Sequence, residues 1–290
     1  MRQIALIVGC GYTGERLAKR LVDGHDVIAT VRSPASREKL AAQRIHTVTL
    51  DLDNVTAETW PLSAAQVDQS WLFYFAPPPA DGVSDIRLDR FLRRIKGRPA
   101  VFVYTSTTGV YGNTNGGAVD ESTPVNPQTE RAQRRMSAEH MTRIWCNEHQ
   151  VRRIVLRVPG IYGPNRIAIN RLKNREPFVR LSEAGVTNRI HVDDLVSACI
   201  AAVTTADARG VYNVTDGNSI SSTEFMQRVA TLAHLPPPVE ISLEEARVTM
   251  SAERMSFLDE SRRVSNRRVL NELQLQLQYA DIDAGIRASL

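Results

Sequence analysis

Six residues near the N-terminus constrain this chain more than any others: Gly9-Cys10-Gly11-Tyr12-Thr13-Gly14, the pattern G-x-G-x-x-G. The string alone is common; its setting is not. It follows the apolar run Ile4–Val8 and leads into Thr13–Asp23, where apolar residues recur at helical spacing. A strand, a glycine corner and a helix in that order form the phosphate-cradling start of a βαβ unit. Gly9 permits a tight turn, Gly11 leaves bare backbone for a pyrophosphate, and Gly14 lets the helix approach the strand. The helix N-terminus offers N–H groups and partial positive charge to an anion. Gly9, Gly11, Tyr12, Thr13 and Gly14 are therefore expected to hold a dinucleotide.

The same rhythm continues. Val27–Val31, Val48–Leu50, Ser70–Phe75 and Ala100–Thr105 read as buried strands, and Pro34–Gln43 and Ser84–Lys96 as helices. Strands alternating with helices imply a parallel sheet with right-handed crossovers. A helix from about Gln128 to Gln150 and a strand Arg153–Val158 extend this to a doubly wound α/β sheet of at least six strands. After Pro159-Gly160 the alternation breaks, and residues 160–188 show no clear period. A helix is expected at Val192–Thr204, a strand at Val211–Val214, and a helix opened by the capping box Ser221-Ser222-Thr223-Glu224. The tail, 243–290, mixes charged helix with one strand. We expect a dinucleotide-binding domain over 1–159 and a smaller lobe over 160–290, with about 189–215 returning to the first.

Of the 290 residues, 42% are hydrophobic and 23% charged, which excludes a mostly disordered or collagen-like chain. The longest apolar runs fall well short of the ~20 residues a bilayer span needs, so no membrane partner is expected. Met1-Arg2-Gln3-Ile4 runs straight into a strand-like segment, so no secretory leader is expected. Cys10, Cys146 and Cys199 are odd in number, far apart and without a C-x-x-C pair, the usage of a reduced, cytoplasmic protein without zinc. Asp193-Asp194 before a helix read as N-caps. The net charge of +4 rests on arginine, since lysine stands only at 19, 39, 96 and 173. The arginines are spread along the chain with no aromatic interleaving. Even the cluster Arg262, Arg263, Arg267 and Arg268 reads as a solvated face, so no nucleic-acid partner is expected.

An NAD site places an acidic residue about 20 positions after the glycines, at the end of the second strand. Here that strand ends Ala29-Thr30-Val31-Arg32-Ser33, with no carboxylate. Arg32 and Ser33 suit a 2′-phosphate, because a guanidinium forks around phosphate oxygens. The reading is NADP, with NAD as the alternative. Asp51-Leu52 ends the third strand, where Asp51 reads equally as an adenine-amino partner or as a loop cap. Ala76-Pro77-Pro78-Pro79 follows the fourth strand, at the edge that lines the ligand crevice in open α/β sheets.

Three further motifs follow in order: Thr105-Ser106-Thr107-Thr108-Gly109-Val110-Tyr111-Gly112, Pro159-Gly160-Ile161-Tyr162-Gly163-Pro164, and Arg189-Ile190-His191-Val192-Asp193-Asp194. Together with the glycine corner they resemble the extended short-chain dehydrogenase/reductase superfamily, which includes nucleotide-sugar epimerases and dehydratases. The pattern looks like an atypical subgroup described as NAD(P)-dependent epimerase/dehydratase. The resemblance implies a Rossmann domain with a smaller C-terminal substrate lobe. It implies Thr105 and Pro159 beside the cofactor and Thr107 at the hydrogen-bonding serine position. It also implies a homodimer through the helices near 84–96 and 128–150.

The catalytic motif departs from the family. Members carry Tyr-x-x-x-Lys at the start of the helix after the fifth strand. None of the seven tyrosines here is followed four residues later by lysine. The family spacing puts Arg131 at the tyrosine position and Arg135 at the lysine position. Arginine stays protonated and cannot act as general acid or base. Loss of such a group costs about 10²- to 10⁴-fold in rate. Tyr111, Glu130, Tyr162 and His191 are the alternative proton carriers, and Arg131 with Arg135, one helical turn apart, suits an anionic substrate. Two functions follow. One is an NADP-dependent oxidoreductase or epimerase/dehydratase-like enzyme acting on a small molecule of the nucleotide-sugar kind. The other is a catalytically silent NADP-binding redox sensor or regulatory protein.

Overall fold

Parallel strands need long crossovers, and the first half of the chain supplies a helix for nearly every one. A computed structural model describes residues 2–56 and 58–290; Met1 and Ala57 lie outside the described residues. The chain opens with β1 (Ile4–Val8), α1 (Tyr12–Leu21), β2 (Asp26–Val31), α2 (Pro34–Ala41), β3 (His46–Thr49), α3 (Ala64–Val67), β4 (Trp71–Tyr74), α4 (Ile86–Arg94) and β5 (Val101–Thr107). A 3-10 turn (Thr108–Tyr111), β6 (Ala118–Val119), α5 (Glu130–Glu148) and β7 (Arg152–Val158) follow. Then come β8 (Gly160–Tyr162), α6 (Ile169–Lys173), β9 (Pro177–Val179), β10 (Val186–His191), α7 (Val192–Thr204), β11 (Gly210–Asn213), β12 (Ser219–Ser221) and α8 (Ser222–Leu232). The chain closes with β13 (Val239–Ile241), α9 (Leu243–Thr249), α10 (Ala252–Leu258), β14 (Arg263–Val264), α11 (Arg267–Glu272) and α12 (Ile282–Arg287).

The main sheet has seven strands in the order β11-β7-β5-β4-β1-β2-β3. Leu6 on β1 lies level with Ile28 of β2 on one side and Leu72 of β4 on the other, both pairings parallel. From β1 the chain lays strands outward one way to β3, then returns and builds the other way from β4. That reversal between β1 and β4 is the switch point where open α/β sheets bind ligands.

The chain groups into two compact units. One takes the chain up to Thr107, with Glu130–Arg157 and Val196–Tyr212. The other takes Thr108–Thr129, Val158–Leu195 and Asn213–Leu290. The excursion at 108–129 had no signal in the sequence. It contributes β6, which pairs with β14 so that Ala118 faces Arg263. The stretch 160–188, without visible period, holds β8, α6, β9 and the start of β10. Strands of three residues are too short to display an alternation.

In the first unit, Leu6, Val8, Leu72, Tyr74, Phe102 and Tyr104 form a core with Leu88 and Phe91 of α4 and Ala138 and Trp145 of α5. Each fully buried Leu or Phe there contributes about 1.5–3 kcal/mol. A buried polar tie pins α5 across the sheet. Glu139 accepts from Ser106 of β5 at 2.5 Å and takes both forks of Arg157 on β7, at 3.0 and 2.8 Å. In the second unit, Tyr162, Phe178, Phe225, Val229 and Ile286 share a separate core.

Two sequence expectations change. Asp194 is not an N-cap, because α7 already begins at Val192. It is fully buried, and its carboxylate accepts the N–H groups of Gln278 and Tyr279 at 2.7 and 3.0 Å, tying the C-terminal segment to α7. The basic cluster is not a solvated face throughout. Arg262 is buried against Glu260 and the Gly112 carbonyl, Arg263 donates to the Gly116 carbonyl, and Arg268 pairs with Glu272. Among the described residues, no helix is long and apolar enough to cross a membrane.

Candidate functional site

The carboxyl ends of β1, β2, β3 and β4 surround a cleft of about 570 Å³. Its walls bring together Gly9, Gly11, Arg32, Ser33, Asp51, Leu52, Ala76 and Pro77, eight of the expected cofactor residues. Cys10, Thr30, Ser36, Asp53, Pro78 and Arg87 also line it and were not singled out for that role.

Each glycine of the corner has its own geometry. Gly9 sits at φ +81°, and a Cβ there would lie 2.5 Å from the Ala76 nitrogen. Only glycine fits, both for the left-handed backbone and for the contact. The corner is pinned to β2. Gly9 N–H donates to Thr30 Oγ1 at 3.0 Å, and Cys10 N–H donates to the Thr30 carbonyl at 2.9 Å. Thr30 was visible as a polar residue inside an apolar strand, a signal left unused. Gly11 is the N-cap of α1; a Cβ there would meet nothing within 4 Å. The space before the helix N-terminus is open. At Gly14 a Cβ would come within 3.1 Å of Ile7 Cγ2, so α1 rides close on β1. Burial pushes the Cys10 thiol up to about 12, so it lines the cleft as an inert thiol.

At β2's end, Ser33 caps α2: its Oγ accepts from Ser36 N–H at 3.3 Å and donates to Ser36 Oγ at 2.9 Å. Arg32 is 70% exposed, with Nη1 3.9 Å from Asp53 Oδ2. Asp51 uses both carboxylate oxygens on its own loop, accepting from Asp53 N–H at 3.0 Å and Asn54 Nδ2 at 2.8 Å. That is the loop-cap geometry. Leu52 is buried, and its carbonyl accepts from Arg90 of α4 at 3.0 Å.

Tyr12, Thr13, Gly14, Thr105 and Pro159 are not on the cleft lining. Tyr12 opens α1 under the Arg16 guanidinium, 4.9 Å from its ring centroid. Thr13 is buried within α1. Thr105 lies on β5 with its hydroxyl buried and unpartnered. Thr107 ends β5, half-buried, and Pro159 is half-buried between β7 and β8.

Arg131 and Arg135 occupy the first turns of α5. Arg135 Nη1 donates to the Thr105 carbonyl at 3.0 Å and to the Tyr104 hydroxyl at 3.3 Å, so it rests on the end of β5. Burial pushes the Tyr104 hydroxyl up to about 12, against the pull of Arg135. The other proton-carrier candidates are placed as follows. Tyr111 is 2% exposed, and its hydroxyl donates to Asn213 at 2.9 Å. Glu130 is exposed beside Arg134. Tyr162 is buried edge-on to His191, and burial pushes its hydroxyl well above the usual range. His191 is fully buried, its Nδ1 accepting Asp193 N–H at 3.2 Å. Among the described residues, no three His, Cys, Asp or Glu side chains gather as a metal site.

Residues 84–215 match the profile of the NAD dependent epimerase/dehydratase family, starting beyond the glycine corner. The chain is 23% identical over 151 residues to the dTDP-D-glucose 4,6-dehydratase of Dictyostelium discoideum, covering 46% of this chain and 35% of that protein. The chain spans about a third of the length of the curated relatives it matches. A functionally unknown conserved protein from Silicibacter pomeroyi has a similar structure, with TM-score 0.81 and 27% identity over 99% of this chain and 97% of that one. The UDP-glucuronic acid 4-epimerase from Bacillus cereus, solved in complex with NAD, superposes with TM-score 0.75 at 17% identity, over 99% of this chain and 95% of that one. The sheet order and the profile match point the same way: residues 84–215 are similar to the NAD dependent epimerase/dehydratase family, and the chain has the Rossmann-like α/β fold of these solved structures.

Proposed function

We propose that the cleft is a nicotinamide-dinucleotide site with preference for NADP(H), serving an oxidoreductase or epimerase/dehydratase-like reaction on a small molecule of the nucleotide-sugar class. One observation carries this reading. The bare backbone of Gly9 and Gly11 at the N-terminus of α1 opens onto the same cleft as Arg32, Ser33 and Ser36 at the N-terminus of α2. The first pair suits a diphosphate, and the second set suits a further phosphate on the ribose. A side chain at Gly11 would fill space that is otherwise open, so the residues present fit the group. Such a cofactor supplies hydride transfer. The chain's own part is to seat it, to keep Arg135 charged beside the Thr105 carbonyl, and to hold an anionic substrate with Arg131 and Arg135. The substrate class rests on the nucleotide sugars named for the relatives and on those two cations. We further propose a homodimer through α4 and α5, whose Ile86 and Ile144 remain 46% and 41% exposed.

Calorimetric titration of NADP, NADPH, NAD and NADH tests the cofactor reading, with the wild type and Arg32→Asp in parallel. Loss of an arginine–phosphate contact should weaken NADP about tenfold or more and leave NAD nearly unchanged. Equal affinity for NAD and NADP, unmoved by the substitution, overturns the NADP assignment. A panel of nucleotide sugars followed at the nicotinamide absorbance then tests for turnover. A second reading, a silent NADP-binding sensor, is favoured by arginine at both positions where proton transfer is organised in the family. Silence across the panel with intact NADP binding supports it.

A further inference from the structure

The cleft wall contains a shared carboxylate. Asp53 takes both forks of Arg87, with Nε at 2.7 Å from Oδ1 and Nη2 at 2.6 Å from Oδ2. The same Oδ2 lies 3.9 Å from Nη1 of Arg32. Arg87 comes from α4, and its third donor, Nη1, reaches the Pro77 and Pro78 carbonyls at 3.1 and 3.2 Å. Its side chain is 19% exposed, against 70% for Arg32. The bidentate grip therefore belongs to the better-held arginine, and the exposed one has only the longer contact. A bidentate arginine–carboxylate pair is the stronger of the two geometries.

We infer that Arg87 is a positioning residue for cofactor choice: by holding Asp53, it leaves Arg32 available to a 2′-phosphate. The inference rests on the NADP reading above and adds how the preference is set. The charge arithmetic is simple. Arg32, Arg87 and Asp53 together carry one net positive charge. Removing Arg87 leaves Asp53 to turn onto Arg32, and the net charge facing the phosphate falls to zero. Removing the Asp53 charge instead raises it to two. Removing both restores one. The Asp53 carboxyl, held below its usual range chiefly by its hydrogen bonds from Arg87, stays ionised near neutral pH, so the competition is present there. These three groups lie within a Debye length of one another, about 8–10 Å at moderate salt, and act as one unit.

The test is the ratio of NADP to NAD affinity, measured by calorimetry for wild type, Arg87→Gln, Asp53→Asn and the double variant. The expected order of the ratio is Asp53→Asn highest, wild type and double variant equal, Arg87→Gln lowest. Steps of about threefold or more are expected for partly exposed charges, shrinking as salt is raised. Restoration by the second substitution is the readout that a merely structural role would not produce. If Arg87→Gln leaves the ratio unchanged, or lowers it without restoration by Asp53→Asn, the inference is overturned. Should Arg87→Gln fail to fold, Asp53→Asn decides alone: a ratio unchanged or lowered overturns it. If the wild type shows no NADP preference, the parent reading fails and takes this inference with it. A wild-type preference lost in Arg32→Ala but flat across the charge series sinks the inference only.

Discussion

Replacing Gly11 by alanine should remove dinucleotide binding without touching the fold, and replacing Gly9 should do the reverse first. At Gly11 φ is −94°, a value any residue adopts, while ψ is −147°, just past the extended region, and a Cβ would meet no atom within 4 Å. Gly11→Ala should therefore keep stability within about 1 kcal/mol of wild type, mild strain at ψ offsetting the gain from the stiffer unfolded chain. The new methyl would stand where a diphosphate must approach, so NADP affinity should fall at least about tenfold, or ~1.4 kcal/mol. At Gly9 the φ of +81° costs an L-residue about 1–2 kcal/mol. The Cβ would also lie 2.5 and 2.6 Å from backbone atoms of Ala76, which must shift. Together these imply a loss of roughly 2–4 kcal/mol, or about 3–7 °C in Tm for a chain of this size. Gly14→Ala sits between: helix propensity gains up to about 1 kcal/mol against a 3.1 Å contact with the Ile7 methyl, which can give way. The assay is Tm by circular dichroism without ligand, and Kd for NADP by calorimetry, for all three variants. A Gly11→Ala protein that binds NADP like wild type refutes the diphosphate role. A Gly9→Ala protein with unchanged Tm refutes the backbone argument.

Glu139→Gln leaves the Arg157 guanidinium buried without its counter-charge and should cost about 3 kcal/mol or more, read as a lower urea midpoint with unchanged slope. Burial raises the Asp216 carboxyl from 3.8 to about 7, so the folded state holds a proton that the unfolded chain has released. The stability it contributes is full below about pH 4 and lost as pH rises through about 7. Asp216→Asn should accordingly raise Tm above pH 7 relative to wild type and change little near pH 4; an equal shift at both pH values contradicts the assignment. Ile144→Arg, on the exposed face of α5, should convert the proposed dimer to monomer in light scattering, and an unchanged mass removes that face from the interface.

The central strands β1, β4 and β5 were legible because they are largely buried on both faces and read as unbroken apolar runs between helices, unlike the half-exposed edge strand β3. β1 is the clearest case, with Ala5, Leu6, Ile7 and Val8 all fully buried. The second unit was legible only in part. β6 and β14 have two residues each, and what holds them is distant. The Thr114 and Gly116 N–H groups both donate to the Ser261 carbonyl at 3.0 Å, across a sequence separation that no local period reports. In the cleft, the glycine corner was visible because its chemistry is local: one turn, one φ, one missing side chain. Arg87 was invisible for the opposite reason. On α4 it is one more arginine on a polar face, and its role comes from the loops it reaches, at Asp53 and at Pro77-Pro78.

Arg131 and Arg135 on α5 decide what kind of chemistry remains open. A lysine offers a compact charge that gives up its proton readily when buried; arginine offers a rigid fork that does not. Arg135 uses one nitrogen for both the Thr105 carbonyl and the Tyr104 hydroxyl. It can fix the end of β5 and supply positive charge, but it cannot exchange a proton with a substrate. Tyr104 does not replace the missing acid either, because it is fully buried and its hydroxyl is pushed up to about 12. Any reaction that needs a proton moved must take it from the substrate, from water, or from a group other than these three. Hydride transfer itself moves no proton, but a hydroxyl oxidised by it must still lose one and a carbonyl reduced by it must gain one, here by exchange with water. A rate that shows no dependence on a titrating group near neutral pH would fit an enzyme built this way, whereas a bell-shaped profile would mean that a proton carrier stands elsewhere in the chain.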